Sequence, residues 1–169
     1  MCHLVTVAVT PPTIDAAAAF RDRGLTVWSA VNPSVRNSLP AAATMLDVTD
    51  GRCSCSISVG TGRGSPSNEA AEISRYMKKG WSRSKAERAV AARQAAHNRS
   101  PRNQESARFI DALEEIAAAG GRIQVVSHSF SGDFARETVS LGLGQEMSVS
   151  MLRERRGVLP EDVPLTIVR

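Results

Sequence analysis

The sequence contains few cysteines, few aromatic residues and no long apolar run. Three cysteines in 169 residues are too few for a disulfide scaffold. No apolar stretch approaches the ~20 residues that cross a bilayer, and no basic segment precedes an apolar one at the N-terminus, as in a signal peptide. There is no internal repeat or low-complexity tract. These absences argue against membrane-spanning, collagen-like and wholly disordered classes, and they predict a cytoplasmic protein with reduced thiols.

The overall composition is typical of a folded globular protein. Hydrophobic residues make up 42% of the chain and charged residues 22%, which is close to the average for such proteins. A chain of this length buries roughly 70% of the surface that it exposes when unfolded. We therefore expect one domain over residues 1–169.

The N-terminal third alternates between strand and helix patterns. Residues 3–9 form a β-branched apolar run that is typical of a buried strand. Residues 13–23 have an apolar side and are followed by Gly24, as at the end of a helix. Residues 25–31 alternate like a strand, and residues 32–40 are polar with two prolines, like a loop. This order predicts a βαβ unit with two parallel strands.

A β-hairpin signal follows this unit. The dipeptide Asp50–Gly51 separates two strand-like runs, 44–49 and 52–59, and Asp-Gly favours a two-residue type I′ turn. In the outgoing run, apolar residues and cysteines alternate with serines. Cys53 and Cys55 are therefore predicted to lie on the same apolar face of the second strand.

A basic helical segment is predicted over residues 65–119. Capping residues, apolar spacing and glycines divide it into helices at about 66–79, 83–97 and 101–119. A β-branched run at 122–130 predicts the strand that follows. The expected fold is therefore α/β: a mixed sheet with an N-terminal βαβ unit and a β-hairpin, and a three-helix segment between the hairpin and a later strand.

Cysteine and histidine suggest a metal site. Zinc prefers four Cys or His ligands in a tetrahedral arrangement. Two thiols share a predicted strand face, a third begins the first strand, and one histidine lies in the strand at 122–130. The predicted zinc ligands are Cys2, Cys53, Cys55 and His128. The alternative is that these cysteines only pack in the core as small apolar side chains.

Two further hypotheses concern thiol chemistry. If Met1 is removed, the α-amine of Cys2 can act as the base for its own thiol. A cysteine that begins the first strand resembles that of the N-terminal-nucleophile amidohydrolases, and this resemblance implies a thiol enzyme with Cys2 as its nucleophile. In the other hypothesis, Cys53 and Cys55 form a disulfide with each other, or one of them pairs with Cys2.

Charge is unevenly distributed along the chain. The net charge is +4, whereas residues 61–103 alone contain ten Lys or Arg and three Glu, which gives +7. Such a segment favours an anionic partner, such as nucleic acid or an acidic protein. The alternative is a solvated helical surface. The side chains proposed to contact the anion are Lys78, Lys79, Arg83, Lys85 and Arg88.

These observations together predict a cytoplasmic metal-binding protein. In this interpretation zinc is structural, and the basic helices contact an anionic or protein partner without a membrane. The alternatives are a thiol enzyme that uses Cys2 and a nucleic-acid-binding protein.

Overall fold

The structure is a computed structural model that describes residues 2–10, 15–51, 53–57, 69–98 and 101–169. Within these ranges it contains one six-stranded mixed sheet and several helices, which confirms the predicted mixed α/β class. The elements in chain order are β1 (Cys2–Thr10), α1 (Ala16–Arg21), β2 (Thr26–Ser29), α2 (Pro33–Ser38), β3 (Thr44–Thr49), α3 (Glu69–Lys78), α4 (Arg83–Asn98), α5 (Pro101–Ala118), β4 (Arg122–Phe130), a one-turn 3₁₀ helix (Phe134–Arg136), β5 (Gln145–Ser148), α6 (Val149–Glu154) and β6 (Leu165–Val168).

The sheet has the strand order β2-β3-β1-β4-β6-β5. All neighbouring strands are antiparallel except β5 and β6, which are parallel. Both β1 and β2 run antiparallel to β3, which lies between them. The two strands of the predicted βαβ unit therefore run in the same direction, as expected, but they are not hydrogen-bonded to each other.

Side-chain alternation along β1 creates a core on each face of the sheet. Val5, Val7 and Val9 are fully buried in the larger core, together with apolar residues of α1, α5 and α6. Leu4 and Ala8 face the opposite way into a smaller core, because successive side chains of a strand point to opposite faces. This smaller core contains apolar residues of α2 and of the 3₁₀ helix.

The prediction of an outgoing hairpin strand over 52–59 is wrong. Residues 53–57 form a bend and a turn, and the other residues of that run lie outside the described ranges. The alternating pattern was misleading because both edges of β3 are already occupied. Val48 in β3 lies opposite Val5 of β1 on one side and Val27 of β2 on the other, and therefore does not face Cys53.

The predicted loop at 32–40 contains the short helix α2. Asn32 caps this helix by accepting a hydrogen bond from the Val35 N–H at 3.0 Å, and proline occupies the first turn, where its missing N–H costs nothing. The Asn32 amide also donates to the backbone oxygens of Phe134 at 2.5 Å and Glu137 at 2.9 Å. Asn32 thereby joins α2 to the 3₁₀ helix across the smaller core.

Asp47 is a fully buried carboxylate in the middle of β3. It accepts hydrogen bonds from the Thr6 hydroxyl at 2.6 Å and from the Val31 N–H at 3.1 Å. Burial raises the pKa of Asp47 above its ordinary value of 3.8, and the two hydrogen bonds only partly oppose this rise.

We expect Asp47→Asn to remove part of the pH dependence of stability. Because the pKa of Asp47 is raised on folding, its protonation contributes stability that is fully present below pH 3.8 and is lost as the pH rises through the folded pKa. The free energy of unfolding of the wild type minus that of the variant should therefore increase as the pH falls from about 7 to about 4. Urea unfolding of both proteins measures this difference, and parallel pH curves would contradict the raised pKa.

Candidate functional site

Two of the four predicted zinc ligands lie together at the start of β1. Cys53 and Cys55 flank Ser54, whose N–H donates to the His3 oxygen at 2.9 Å, and the His3 N–H donates to Cys55 Sγ at 3.3 Å. Burial and the contact with Cys55 raise the pKa of Cys53. Both cysteines are partly exposed, so that they are not simply core residues.

His128 has carboxylates, and not thiols, as its polar neighbours. Its Nδ1 lies 2.5 Å from Asp162 Oδ1, and its Nε2 lies 3.9 Å from Glu137 Oε1. The ring packs beside Phe134, with centroids 6.1 Å apart. Nε2 is buried and has no hydrogen-bond partner among the described residues. His128 therefore links β4 to two loops that cover the smaller core.

The predicted zinc site finds no support in the described part of the chain. Cys2 is exposed and lies opposite Phe130 in the sheet. Across the described ranges, no group of three or more His, Cys, Asp or Glu side chains is arranged to hold a metal ion. Zinc therefore stays a prediction, and metal analysis of protein purified without a His tag tests it.

Sequence reasoning missed the carboxylates near this end of β4. Asp162 has a left-handed backbone (φ 56°), and its N–H donates to the Ser127 oxygen at 2.8 Å. The neighbouring Glu161 accepts from the Ser129 N–H at 3.1 Å. Hydrogen bonds from the Ser129 hydroxyl and N–H lower the pKa of Glu161. No local pattern identifies these residues, because they follow α6 and reach β4 only through the tertiary fold.

A tight turn joins α3 to α4 and stacks two aromatic rings. Gly80 (φ 84°) ends α3, with the Gly80 N–H bonded to the Met77 oxygen and the Trp81 N–H to the Tyr76 oxygen, as in a Schellman motif. The Tyr76 and Trp81 rings stack with centroids 4.9 Å apart. Lys85 Nζ lies 4.5 Å from the centroid of Trp81, within the range of a cation–π interaction.

All five predicted anion-binding side chains are exposed around this turn. Arg83 forms an ion pair with Glu87 at 2.9 Å, and the Arg88 Nε donates to the Ser84 oxygen at 3.3 Å. The hidden side of α4 includes Ala86 and Val90, which are buried. We call the exposed surface formed by the five cationic side chains the basic turn: Lys78, Lys79, Arg83, Lys85 and Arg88.

Comparisons with known proteins assign no family to the chain. No family model matches it, and neither a curated protein nor a solved structure does so. In the described ranges, no helix is long and apolar enough to cross a bilayer. Any functional inference therefore depends on the residues themselves.

Proposed function

We propose that this protein binds nucleic acid through the basic turn, mainly by contacts to the phosphate backbone. The observation that carries this proposal is the grouping of five exposed Lys and Arg side chains around the stacked rings of Tyr76 and Trp81. Lys and Arg neutralise phosphates, and the release of counterions then drives binding.

The start of α4 supports an anionic ligand. A helix N-terminus carries partial positive charge, and acidic side chains usually stabilise it. The first turn of α4 instead has Arg83 and Lys85 and no acidic residue. Lys78 and Lys79 lie just before the connecting turn, so that they add cations close to the same pole. A phosphate placed here would stabilise both the side-chain charges and the helix terminus.

The position of Lys85 over Trp81 favours contacts to phosphates over stacking of bases. Tyr76 and Trp81 are half-buried, and Lys85 already lies over the indole. A nucleic-acid base would have to displace this ammonium group before it could stack on Trp81. We therefore assign the main contacts to phosphates, with duplex DNA as the simplest test ligand.

We expect the affinity for duplex DNA to fall steeply with salt. If four of the cations each neutralise one phosphate, the log–log slope is about −3.6, and affinity falls roughly 100-fold between about 50 and 200 mM salt. Fluorescence anisotropy of a labelled duplex measures this slope. A circular dichroism spectrum that does not change over this range shows that the protein stays folded. A dissociation constant that is independent of salt would contradict phosphate binding.

A second candidate is the thiol enzyme, favoured by the arrangement of His128. Asp162 Oδ1 lies 2.5 Å from Nδ1 of this histidine, and its buried Nε2 has no hydrogen-bond partner in the described ranges. Cys2 and His128 lie on the same sheet face, because Cys2 pairs with Phe130 and Leu4 with His128. Intact mass shows whether Met1 is removed, and rapid alkylation confined to Cys2 would support this candidate.

A further inference from the structure

Cys53 and Cys55 form a thiol pair whose chemistry nucleic-acid binding does not use. They lie two residues apart in the bend and turn at 53–57, and both are partly exposed to solvent. The turn keeps the two cysteines near each other, and partial exposure gives a small oxidant access to their sulfurs. Both conditions are needed for a disulfide to form within one chain.

The residue between the two cysteines holds two strands together. The Ser54 hydroxyl accepts from the Val5 N–H at 2.9 Å and donates to the Val48 oxygen at 2.5 Å. The Ser54 N–H also donates to the His3 oxygen at 2.9 Å. Ser54 therefore bridges β1 and β3 where their regular pairing ends, and its position depends on the cysteines on either side.

We propose that Cys53 and Cys55 are a redox modification site, in which a reversible disulfide weakens the Ser54 bridge between β1 and β3. The oxidant is a low-molecular-weight disulfide, such as oxidised glutathione. Disulfide formation draws the two cysteines together. This displaces Ser54 from the Val5 N–H and the Val48 oxygen.

The exchange proceeds in two balanced steps. Cys55, deprotonated, attacks one sulfur of the glutathione disulfide and releases one glutathione thiolate. Cys53 then loses its proton and displaces the second glutathione, which leaves the Cys53–Cys55 disulfide. The two cysteine protons end on the two glutathione thiols, so the protein loses two electrons that glutathione gains. We assign the first attack to Cys55 because its sulfur already accepts a hydrogen bond from the His3 N–H.

Peptide mapping of the folded protein tests this proposal directly. Trypsin cleaves after Arg52 and Arg63, which puts both cysteines in the peptide 53–63 and leaves Cys2 in a separate peptide that ends at Arg21. After incubation with oxidised glutathione and then a maleimide, the peptide 53–63 should be lighter by two hydrogens and carry no maleimide. Dithiothreitol should restore two reactive thiols.

Variants and amide exchange complete the test. Cys53→Ser should leave the mixed disulfide on Cys55 unresolved, so that the peptide 53–63 keeps one glutathione, whereas the matched control Cys2→Ser should still form the Cys53–Cys55 disulfide. Hydrogen exchange of the Val5 amide should be faster in the oxidised protein than in the reduced one. A stable glutathione adduct on the wild-type peptide, or a disulfide that includes Cys2, would overturn the pairing. Equal Val5 exchange in both forms would overturn the coupling to the strands.

Discussion

Reversal of four charges in the basic turn should abolish binding to duplex DNA. In the variant Lys78→Glu, Lys79→Glu, Arg83→Glu and Lys85→Glu, four phosphate contacts are lost. Each contact contributes about 0.9 to the log–log salt slope, so that the affinity at ~0.1 M salt should fall on the order of 10³-fold or more. Anisotropy of a labelled duplex measures the loss, and thermal unfolding shows whether the variant stays folded.

A control variant separates the basic turn from overall charge. Several other arginines of the described residues are exposed and lie outside α3 and α4, and reversal of four of them to Glu gives the same net charge. If the basic turn is the binding surface, this control should retain most of its affinity. An equal loss in both variants would mean that net charge alone governs binding. The control residues are Arg21, Arg122, Arg136 and Arg155.

Trp81 offers a second measurement of the same contact. The chain contains two tryptophans, and the other one, Trp28, lies in β2 and is 38% exposed. In a Trp28→Phe background, the tryptophan fluorescence therefore comes from Trp81 alone. A change in this emission that saturates with the anisotropy signal would place the ligand beside the basic turn.

Ser54→Ala should strongly destabilise the protein. The substitution leaves the Val5 N–H and the Val48 oxygen without the hydroxyl that pairs them. Each buried backbone group that loses its partner costs roughly 1 to 3 kcal/mol, so we expect the free energy of unfolding to fall by about 3 kcal/mol. Urea unfolding measures this change.

Ser56→Ala is the matched control for this substitution. The Ser56 hydroxyl lies 2.5 Å from Asp50 Oδ2 in an exposed contact, where water can replace the lost partner. Its removal should therefore cost less than about 1 kcal/mol. If Ser54→Ala and Ser56→Ala had equal effects, the bridge between β1 and β3 would not contribute as inferred.

The elements that the sequence predicted well are those formed by local interactions. Helices α3, α4 and α5 lie within segments whose own apolar spacing predicted them, and glycines follow α3 and α5. The same is true of β1, whose apolar run suits a strand buried on both faces. The helix α2 also has a local signal, because Asn32 followed by Pro33 is typical of a helix start. The two prolines of that stretch nevertheless led to the prediction of a loop.

Local sequence patterns predicted some of the site residues but not their contact partners. Exposed Lys and Arg of the basic turn follow from the sequence, because charged side chains on a helix remain in water wherever the helix packs. The nearest partners of His128 did not follow, since Asp162 and Glu137 reach it from separate loops. The alternation around Cys53 predicted a strand, whereas residues 53–57 form a bend and a turn, because alternation does not specify a partner strand.

The sequence by itself therefore determined the α/β class, the helical segment and its positive surface. Only the tertiary structure decided that β1 and β2 occupy the two edges of β3, and this excluded a hairpin strand after Gly51. The tertiary structure also places Cys55 beside His3 at the start of β1 and gives His128 the carboxylate of Asp162 as its hydrogen-bond partner. The physical reason is that strand neighbours and side-chain partners depend on contacts between residues far apart in the chain, which no local spacing encodes.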